Sequence, residues 1–553
     1  MVTRRQLLRM GGTAALGISG AVALAACGET QVVTKEVPVD RVVVKEVEVE
    51  KIVTQQVEKV VTQEVEKVVE REVPVEKVVE VEKVVEVPVE KVVEKVVTKE
   101  VQKVVEKVVQ VEKMAERPSA IIRMAHDHSS GPRGAAMSWA LEKLAQQFPH
   151  IVIKFEPQNH LYMESFGIQI AGGTQAQVAL LDGGFVNQWL QPGGFTQIND
   201  VLAKHPDWDP SRWYFSPDEY TVNFTDTQPA LTRQPIQGPQ FGMPYQGGLY
   251  GITMNFSMAE AKGIPQPVPG SWGLETDFIE ATKQATDPET GDWGHWMHPH
   301  PALEWGAWSF GLSDSGTRMY RNPEGTHFEA FEDGGDRGYR LAVATIHEHG
   351  VSFTPDNHRQ VAGEFGDAFS AGKVLIGFHG GGVGGTVTRV GDRFRWGLIP
   401  NPEGPRGTIP HWFSNQPHMV TNSTETDGTT EQAVEVVLFL AGPEVQGRIA
   451  VDRGNAPVLK ETFDSVALNA APPDNLANGL KEAIERDDHR GWQGAHPHWW
   501  EWYVWVTTAQ NAFIGEETAE QSLESVVAAS DRVLETTKDD YDSYKAWASS
   551  LTS

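Results

Sequence analysis

The sequence predicts an α/β protein with a largely parallel sheet, preceded by a long segment that has no globular core. After Pro118, short apolar runs alternate with amphipathic stretches, and this strand, helix, strand order is typical of parallel sheets covered by helices. A chain of 553 residues is too long to fold around a single hydrophobic core, and an apolar content of 40% is enough for two or three domains. At Pro118 the composition changes from Val, Glu and Lys to Trp, His and Gly, so we place the start of the globular part there.

The first 26 residues have the features of an export signal. Arg4 and Arg5, which resemble a twin-arginine pair, precede an apolar stretch that is too short and too rich in glycine to span a membrane. The residues at 24–27, Leu-Ala-Ala-Cys, resemble a bacterial lipobox. Cys27 is the only cysteine in the chain, so it has no disulfide partner, and we expect it to carry a lipid that anchors the protein to the outer face of a membrane.

Residues 27–117 are expected to form a stalk, because the stretch 31–113 is a low-complexity repeat of Val, Glu and Lys without aromatic residues. Valines spaced four and three apart near its end, from Val97 to Val111, have coiled-coil spacing. Prolines interrupt the pattern elsewhere. Two interpretations stay open: a segmented coiled coil that joins several copies, and a solvated tether with coiled-coil tendency. A fully helical stalk would reach roughly 130 Å at about 1.5 Å per residue.

The net charge argues against a nucleic-acid partner. A formal charge of -28 would repel a phosphate backbone unless a basic patch existed, and the longest basic cluster belongs to the export signal.

Short elements follow one another after Pro118. The expected elements are a strand at Ala120–Ala125, a loop at His126–Gly134, a helix at Ala135–Phe148, a strand at Ile151–Phe155, a helix at Tyr162–Ala171 and a strand at Val178–Leu181. In open α/β sheets, ligands bind at the carboxyl ends of such strands. Loops that follow these strands are therefore the first candidates for a binding site.

The run from Phe241 to Thr282 is predicted to carry the chain from one part of the fold into another. It contains a strand (LYGITMNF), a short helix capped by Ser257 and ended by Gly263, a proline-rich turn, and a second helix capped by Ser271. A return crossing is expected near residue 415.

Several stretches together resemble one known family. They are WALEKLAQQFPHIVIKF, IAGGTQAQVALLDGGF, GMPYQGGLYGITMNF, FGDAFSAGKVLIGFHGGG and FRWGLIPNPEGP. Over about residues 120–535, the chain resembles the extracellular solute-binding proteins of ABC importers, in particular the large group that mostly serves sugars and oligosaccharides.

The resemblance implies a two-lobed type II periplasmic-binding fold, also called a Venus-flytrap fold. Lobe one would comprise about 118–250 and 410–465, and lobe two about 255–405 plus the C-terminal helices, all within the solute-binding domain 118–553. It also implies a solute held between the lobes, the transmembrane subunits of an ABC permease as partner, no catalytic residues and no cofactor.

Candidate ligand-binding residues share a position after a strand, at a crossing, or in an aromatic cluster, because sugars need aromatic platforms and planar hydrogen-bonding groups. The candidates are His126, Asp127, His128, Arg133, Asp182, Phe185, Tyr245, Trp305, Trp308, His379, Gly380, Gly381, Trp412 and Trp499. Asp182 also suits a turn before two glycines, and any of the tryptophans also suits the core.

Other functions have weaker support. The stretch His379 to Gly382 matches an esterase oxyanion-hole pattern, but the sequence has no G-x-S-x-G nucleophile motif. Four His-x-His pairs favour a metal-binding alternative: His126/His128, His298/His300, His347/His349 and His496/His498. A peptide or another polar solute is a further alternative to a sugar, and a secreted carbohydrate-active enzyme is less favoured.

If residues 31–113 act only as a spacer, deleting them should leave the affinity for the solute unchanged. Titration calorimetry on the deleted and the intact chain measures this directly. A large loss of affinity on deletion would contradict the spacer interpretation.

Overall fold

The computed structural model describes residues 118–552 except 160–162, 182, 207, 215–238, 297–321, 323, 330, 335, 380–381, 405–406, 409–411, 415 and 486–504. All described residues belong to one compact unit, 112–553. The expected export signal, Cys27 and the stalk lie outside the described residues.

The strands of the described residues form two sheets and one small hairpin. They are β1 Ala120–His126, β2 Ile151–Pro157, β3 Val178–Leu180, β4 Gly242–Pro244, β5 Gly248–Asn255, β6 Trp293–His295, β7 Val374–His379, β8 Trp396–Ile399, β9 Glu403–Gly404, β10 Gly407–Thr408, β11 Trp412–Ser414 and β12 Pro417–Val420.

Helices separate most of these strands, as an α/β fold requires. They are α1 Gly131–Gln147, α2 Met163–Gly172, α3 Gly183–Leu190, α4 Asn199–Leu202, α5 Phe256–Lys262, α6 Ile279–Ala285, α7 Arg337–His347, α8 His358–Ala362, α9 Gly384–Val390, α10 Ser423–Asp427, α11 Thr430–Leu440, α12 Pro443–Arg453, α13 Val466–Asn469, α14 Leu476–Ile484, α15 Trp505–Ile514, α16 Ala519–Thr536 and α17 Lys538–Thr552.

In the first sheet, one end of each of the five strands lies at the same edge. The strand order of this sheet is β2-β1-β3-β12-β4. β1 pairs in parallel with β2 and β3, while β12 is antiparallel to both β3 and β4. The carboxyl ends of the first four strands and the start of β12 therefore meet at the same edge.

The second sheet has the order β11-β5-β7-β6, and β8 also pairs with β5. β5 is antiparallel to β7, β8 and β11, whereas β6 and β7 are parallel. The two sheets define the two lobes, so the expected two-lobed α/β fold is confirmed.

Two crossings connect the sheets side by side. The first runs from β4 to β5 through residues 245–247, and the second runs from β11 to β12. β4 pairs with β12 in the first sheet, and β5 pairs with β11 in the second. A third segment lies against the first crossing, because Gly247 N donates to Ala456 O at 2.9 Å.

Each sheet buries its apolar face under helices. In the first lobe, the core includes Ile122, Met124, Val178, Met419 and Val420, all fully buried. In the second, a separate cluster packs residues of β5, β7 and β8 against α5 and α6: Ile252, Met254, Leu375, Ile376, Ile399, Met258, Ala259, Phe278 and Ile279.

The predicted elements occur where expected, but two predicted helix caps are wrong. Asn255, not Ser257, caps α5: its Oδ1 accepts from Met258 N at 3.0 Å, while Ser257 Oγ accepts from Arg395 N. Ser271 Oγ accepts from Val268 N and so closes a turn. Both serines are used by neighbouring backbone groups, a competition that is common for short polar side chains.

Helix α1 also begins earlier than expected, at Gly131 instead of Ala135. Pro132 lies in its first turn, where a missing N–H costs nothing because that group has no partner inside the helix.

Replacing Gly294 in β6 by Ala should destabilise the second lobe. A Cβ there would lie 2.5 Å from Thr282 O and 2.4 Å from its Cβ, so the backbones must move apart. We expect a loss of about 1–3 kcal/mol in the free energy of unfolding, measured by chemical denaturation.

The matched control is Gly447→Ala in α12, where a Cβ has no atom within 4 Å. Alanine favours a helix interior over glycine by about 0.8–1 kcal/mol, so this variant should be as stable as the original or more stable. Equal stability of the two variants would contradict the packing described for β6.

Candidate functional site

Four aromatic rings form a compact cluster at the edge where the first-lobe strands end. His126 ends β1, His128 lies two residues further on, Tyr245 follows β4, and His418 is the second residue of β12. The ring centroids of Tyr245 and His418 are 4.1 Å apart, those of His126 and His128 are 4.7 Å apart, and those of His126 and His418 are 5.1 Å apart. We call these four residues the edge cluster.

The edge cluster is inaccessible to water, and burial controls its protonation. His126, His128, His418 and Tyr245 are each at most 1% exposed. Burial lowers the pKa of His418 to about 3. It also holds the pKa of His126 and of His128 well below the usual range, and it raises the pKa of Tyr245. The cluster is therefore neutral at physiological pH.

Hydrogen bonding leaves most ring nitrogens of the cluster unused. His128 N donates to His126 Nδ1 at 2.9 Å, so a neutral His126 carries its proton on Nε2. This Nε2, and both ring nitrogens of His128 and of His418, are buried and have no hydrogen-bond partner among the described residues. Buried polar groups of this kind are rare, and each costs about 1–3 kcal/mol.

Charged side chains surround the cluster. Asp127 Oδ1 lies 3.6 Å from His128 Nε2 and 3.8 Å from His126 Nδ1, which is beyond hydrogen-bond distance. Arg133 and Arg453 both help to lower the pKa of His126 and His128, because a positive neighbour disfavours a second positive charge. The two arginines therefore make the potential at these rings more positive, and the Asp127 carboxylate makes it more negative.

Polar side chains join the crossings beside the cluster. Arg453 Nη1 donates to Gln246 Oε1, and Gln246 Nε2 donates to Gln416 Oε1, which links the first crossing to the second. Asn455 Nδ2 donates to Gly247 O at 3.0 Å. These contacts place the edge cluster next to the connection between the lobes.

The loop after β7 of the second lobe meets the same region. Val383 N donates to Gly454 O at 3.3 Å. A Cβ on Gly382 would lie 2.0 Å from Asn455 Oδ1, so only glycine permits this approach. The stretch that resembled an esterase oxyanion hole thus ends in a packing contact between lobes.

Five of the predicted binding residues lie together here. His126, His128 and Tyr245 belong to the cluster, Asp127 lies at its border, and half-buried Arg133 lies in the first turn of α1. Phe185 lies in α3, His379 is the last residue of β7, and Trp412 is the first residue of β11, where it pairs with Tyr250. The remaining candidates lie outside the described residues: Asp182, Trp305, Trp308, Gly380, Gly381 and Trp499.

Sequence reasoning missed two members of this region. His418 and Arg453 are separated from His126 by about 300 residues of chain. The sheet order brings His418 to this edge, and the packing of α12 brings Arg453. The signal that could have found His418 is the polar residue inside the short apolar run at 417–420, next to the predicted return crossing.

The described residues contain no group of three or more His, Cys, Asp or Glu side chains arranged to hold a metal ion. Of the four His-x-His pairs, His126/His128 lies in the edge cluster and His347/His349 lies at the end of α7. The pairs His298/His300 and His496/His498 lie outside the described residues. Within the same described ranges, no helix is both long and apolar enough to cross a membrane.

Comparison with protein families identifies the chain. Residues 139–474 match the family model described as bacterial extracellular solute-binding protein. The chain belongs to this family. Solute-binding proteins of this family act outside the cytoplasm and are binding proteins, not enzymes. The resemblance expected from the sequence is thus confirmed.

Solved solute-binding proteins share the fold. An ABC substrate-binding protein of Listeria monocytogenes in complex with cycloalternan matches with a TM-score of 0.61 at 16% identity, covering 76% of this chain and 99% of that one. The sugar-binding protein MalE of Xanthomonas citri gives 0.60 at 13%, with 76% and 99% covered. The maltose-binding domain MalE of Bdellovibrio bacteriovorus bound to maltotriose gives 0.55 at 13%, with 75% and 100% covered. No curated protein matches the chain by sequence.

The buried histidines should make this solute-binding protein sensitive to acid. They must be neutral in the folded state, whereas an unfolded histidine binds a proton below about pH 6.5. His295, buried between Phe278 and Phe378, must also be neutral in the folded state, because burial lowers its pKa to about 3. The free energy of unfolding should therefore fall as the pH decreases from 6.5 to 5, by about 1.4 kcal/mol per pH unit for each such histidine.

Chemical denaturation of the His418→Gln variant across this pH range tests the assignment. The free energy of unfolding of this variant should fall less steeply with decreasing pH than that of the original protein, by about 1.4 kcal/mol per pH unit. His349→Gln, outside the edge cluster, is the control and should keep the full slope. Identical slopes for the original protein and His418→Gln would contradict the buried neutral state of His418.

Proposed function

We propose that the protein captures a carbohydrate, an oligosaccharide, between its two lobes and delivers it to the permease of an ABC importer. The observation that carries this proposal is the edge cluster: buried, unpartnered polar rings at the ligand-binding edge of an α/β sheet, beside the crossings. The sugar ligands named for the related structures agree with it.

The chemistry of the edge cluster suits a sugar. A neutral histidine offers one donor and one acceptor, which can pair with hydroxyl groups, and aromatic rings can pack against the C–H faces of a pyranose. Trp305, Trp308, Trp412 and Trp499 are proposed to supply further platforms from the other side of the cleft, together with His379, Gly380 and Gly381. Asp182 and Phe185 are proposed to complete the first-lobe side.

Capture would proceed by closure of the lobes. Bending is proposed to occur at the paired crossings, around Gln246 and Gln416. A solute shifts the equilibrium towards the closed state only to the extent that it binds the closed state more tightly than the open state. Unpaired donors and acceptors in the edge cluster supply such a difference, because their hydrogen bonds form only when the solute fills the site.

The N-terminal part is proposed to hold this domain on the cell surface. Residues 1–26 would direct export, Cys27 would carry the lipid, and residues 27–117 would act as a spacer that can also associate with other copies. The lobe boundaries proposed are those expected from the sequence, at about 250, 410 and 465. The protein would then face the permease from the outer side of the cytoplasmic membrane.

A thermal-shift screen of oligosaccharides, peptides and divalent cations tests the function. A ligand that prefers the folded state raises the melting temperature, and at 100 times its Kd it adds about 2.7 kcal/mol of stability. We expect oligosaccharides to give this shift. A shift with peptides alone or with Zn²⁺ alone would contradict the proposal, and turnover of a screened sugar would contradict a purely binding role.

Replacing both Trp305 and Trp308 by Ala should abolish sugar binding in titration calorimetry, because the aromatic platforms are lost. The control is the double variant's thermal unfolding without ligand, which shows whether the domain still folds. Unaltered affinity would refute the placement of these tryptophans in the cleft.

A further inference from the structure

We propose that the edge cluster binds a carboxylate, so that the captured carbohydrate is an acidic oligosaccharide containing a uronic acid. The inference rests on the proposed function and narrows its substrate class.

Hydrogen-bond donors without acceptors are the first observation. The three neutral histidines His126, His128 and His418 carry one ring N–H each, and none of these donors has a partner in the part of the chain that the structure describes, although all three side chains are buried. For His126, the donor is Nε2, because Nδ1 already accepts from His128 N. Three donors in one cluster suit a ligand group that is only an acceptor, as an ionised carboxylate is.

The charges around the cluster are the second observation. Arg133 is half-buried and makes no hydrogen bond or ion pair with the residues that the structure describes, and it acts electrostatically on His126, His128 and Tyr245. Arg453 acts on the same three rings. Among the described charged groups, the Asp127 carboxylate, whose Oδ1 lies 3.6 Å from His128 Nε2 and 3.8 Å from His126 Nδ1, offsets the charge of one arginine, and the charge of the second arginine remains.

The helix that starts beside the cluster adds to this potential. Helix α1 begins three residues after His128, has 17 residues, and has no acidic side chain in its first turn and no side-chain cap. The N-terminus of such a helix carries a partial positive charge that favours an anion. Arg133 lies in this first turn, so its charge and the helix dipole act in the same direction.

A carboxylate fits this environment better than a neutral or a doubly charged group. A sugar with hydroxyls alone would leave Arg133 without an ion pair when the cleft closes, which costs free energy. Asp127, whose side chain is almost buried at the border of the cluster, would repel a dianionic phosphate more strongly than a singly charged carboxylate. The carboxylate would accept from the histidine donors and pair with Arg133.

Calorimetry on the full-length chain in detergent micelles, with matched pairs of ligands, tests the inference. The pairs are uronic acid oligosaccharides of galacturonate, glucuronate, mannuronate and guluronate, each with its methyl ester, which keeps the sugar ring and removes the charge. At least one acid should bind about 10–100-fold more tightly than its ester, the range expected for hydrogen bonds to a charged group.

Two variants locate the effect. Arg133→Gln should weaken binding of the acid by about 10–100-fold and leave the affinity for the ester within about 3-fold, so that the preference disappears. His128→Gln, checked for folding by thermal unfolding, should weaken both ligands. Arg359→Gln, an exposed arginine on α8, is the matched control and should leave both affinities unchanged.

The outcomes separate this inference from the proposed function. If neutral oligosaccharides or the esters bind as tightly as the acids, the carboxylate assignment is wrong and carbohydrate capture stands. If acids are preferred but Arg133→Gln keeps the preference, the assignment to the edge cluster is wrong. If no carbohydrate of either kind binds, both proposals fail.

Discussion

The pairing of β4 with β12 and of β5 with β11 is the constraint on which the rest of this structure depends. It holds two crossings of opposite direction side by side, one leaving the first lobe and one returning. Because β12 returns antiparallel to β3, its first residues lie at the same edge as the end of β1. The edge cluster exists only because this register brings His418 to His126.

The edge cluster lowers the stability of the folded state, because its polar groups are buried without hydrogen bonds. Three buried histidines leave five ring nitrogens without hydrogen bonds, a set of groups that folding normally satisfies. A purely structural core would lose nothing by replacing them with apolar residues of similar size. Their presence beside the crossings is consistent with a protein that gives up part of its stability so that a polar solute can recover it on binding.

The order of elements could be predicted from the sequence because it depends on local patterns. AIIRMA and IVIKF are short apolar runs bounded by polar or glycine-rich turns, and each forms a strand within about two residues of its expected bounds. The cap of α5 was predicted wrongly because two short polar side chains, Asn255 and Ser257, compete for this role. Which of them caps the helix depends on a backbone group 138 residues away from Ser257, the N–H of Arg395.

The candidate site could be predicted only in part, for a related reason. His126, Asp127 and Arg133 follow the first strand, so the general rule for open sheets finds them. His418 and Arg453 reach the same place through strand order and helix packing, which no local pattern encodes. The family resemblance supplied the overall architecture, and it did not indicate that the residues at this edge are histidines without partners.

The link from Arg453 through Gln246 to Gln416 has a consequence for how the molecule unfolds. Side chains from the two crossings and from the end of α12 share one partly buried hydrogen-bonded chain. If one crossing opened, the polar side chains of the other segments would lose their hydrogen-bond partners while they remained buried, which costs free energy. The two lobes, although each has its own sheet, should therefore melt together as one cooperative unit.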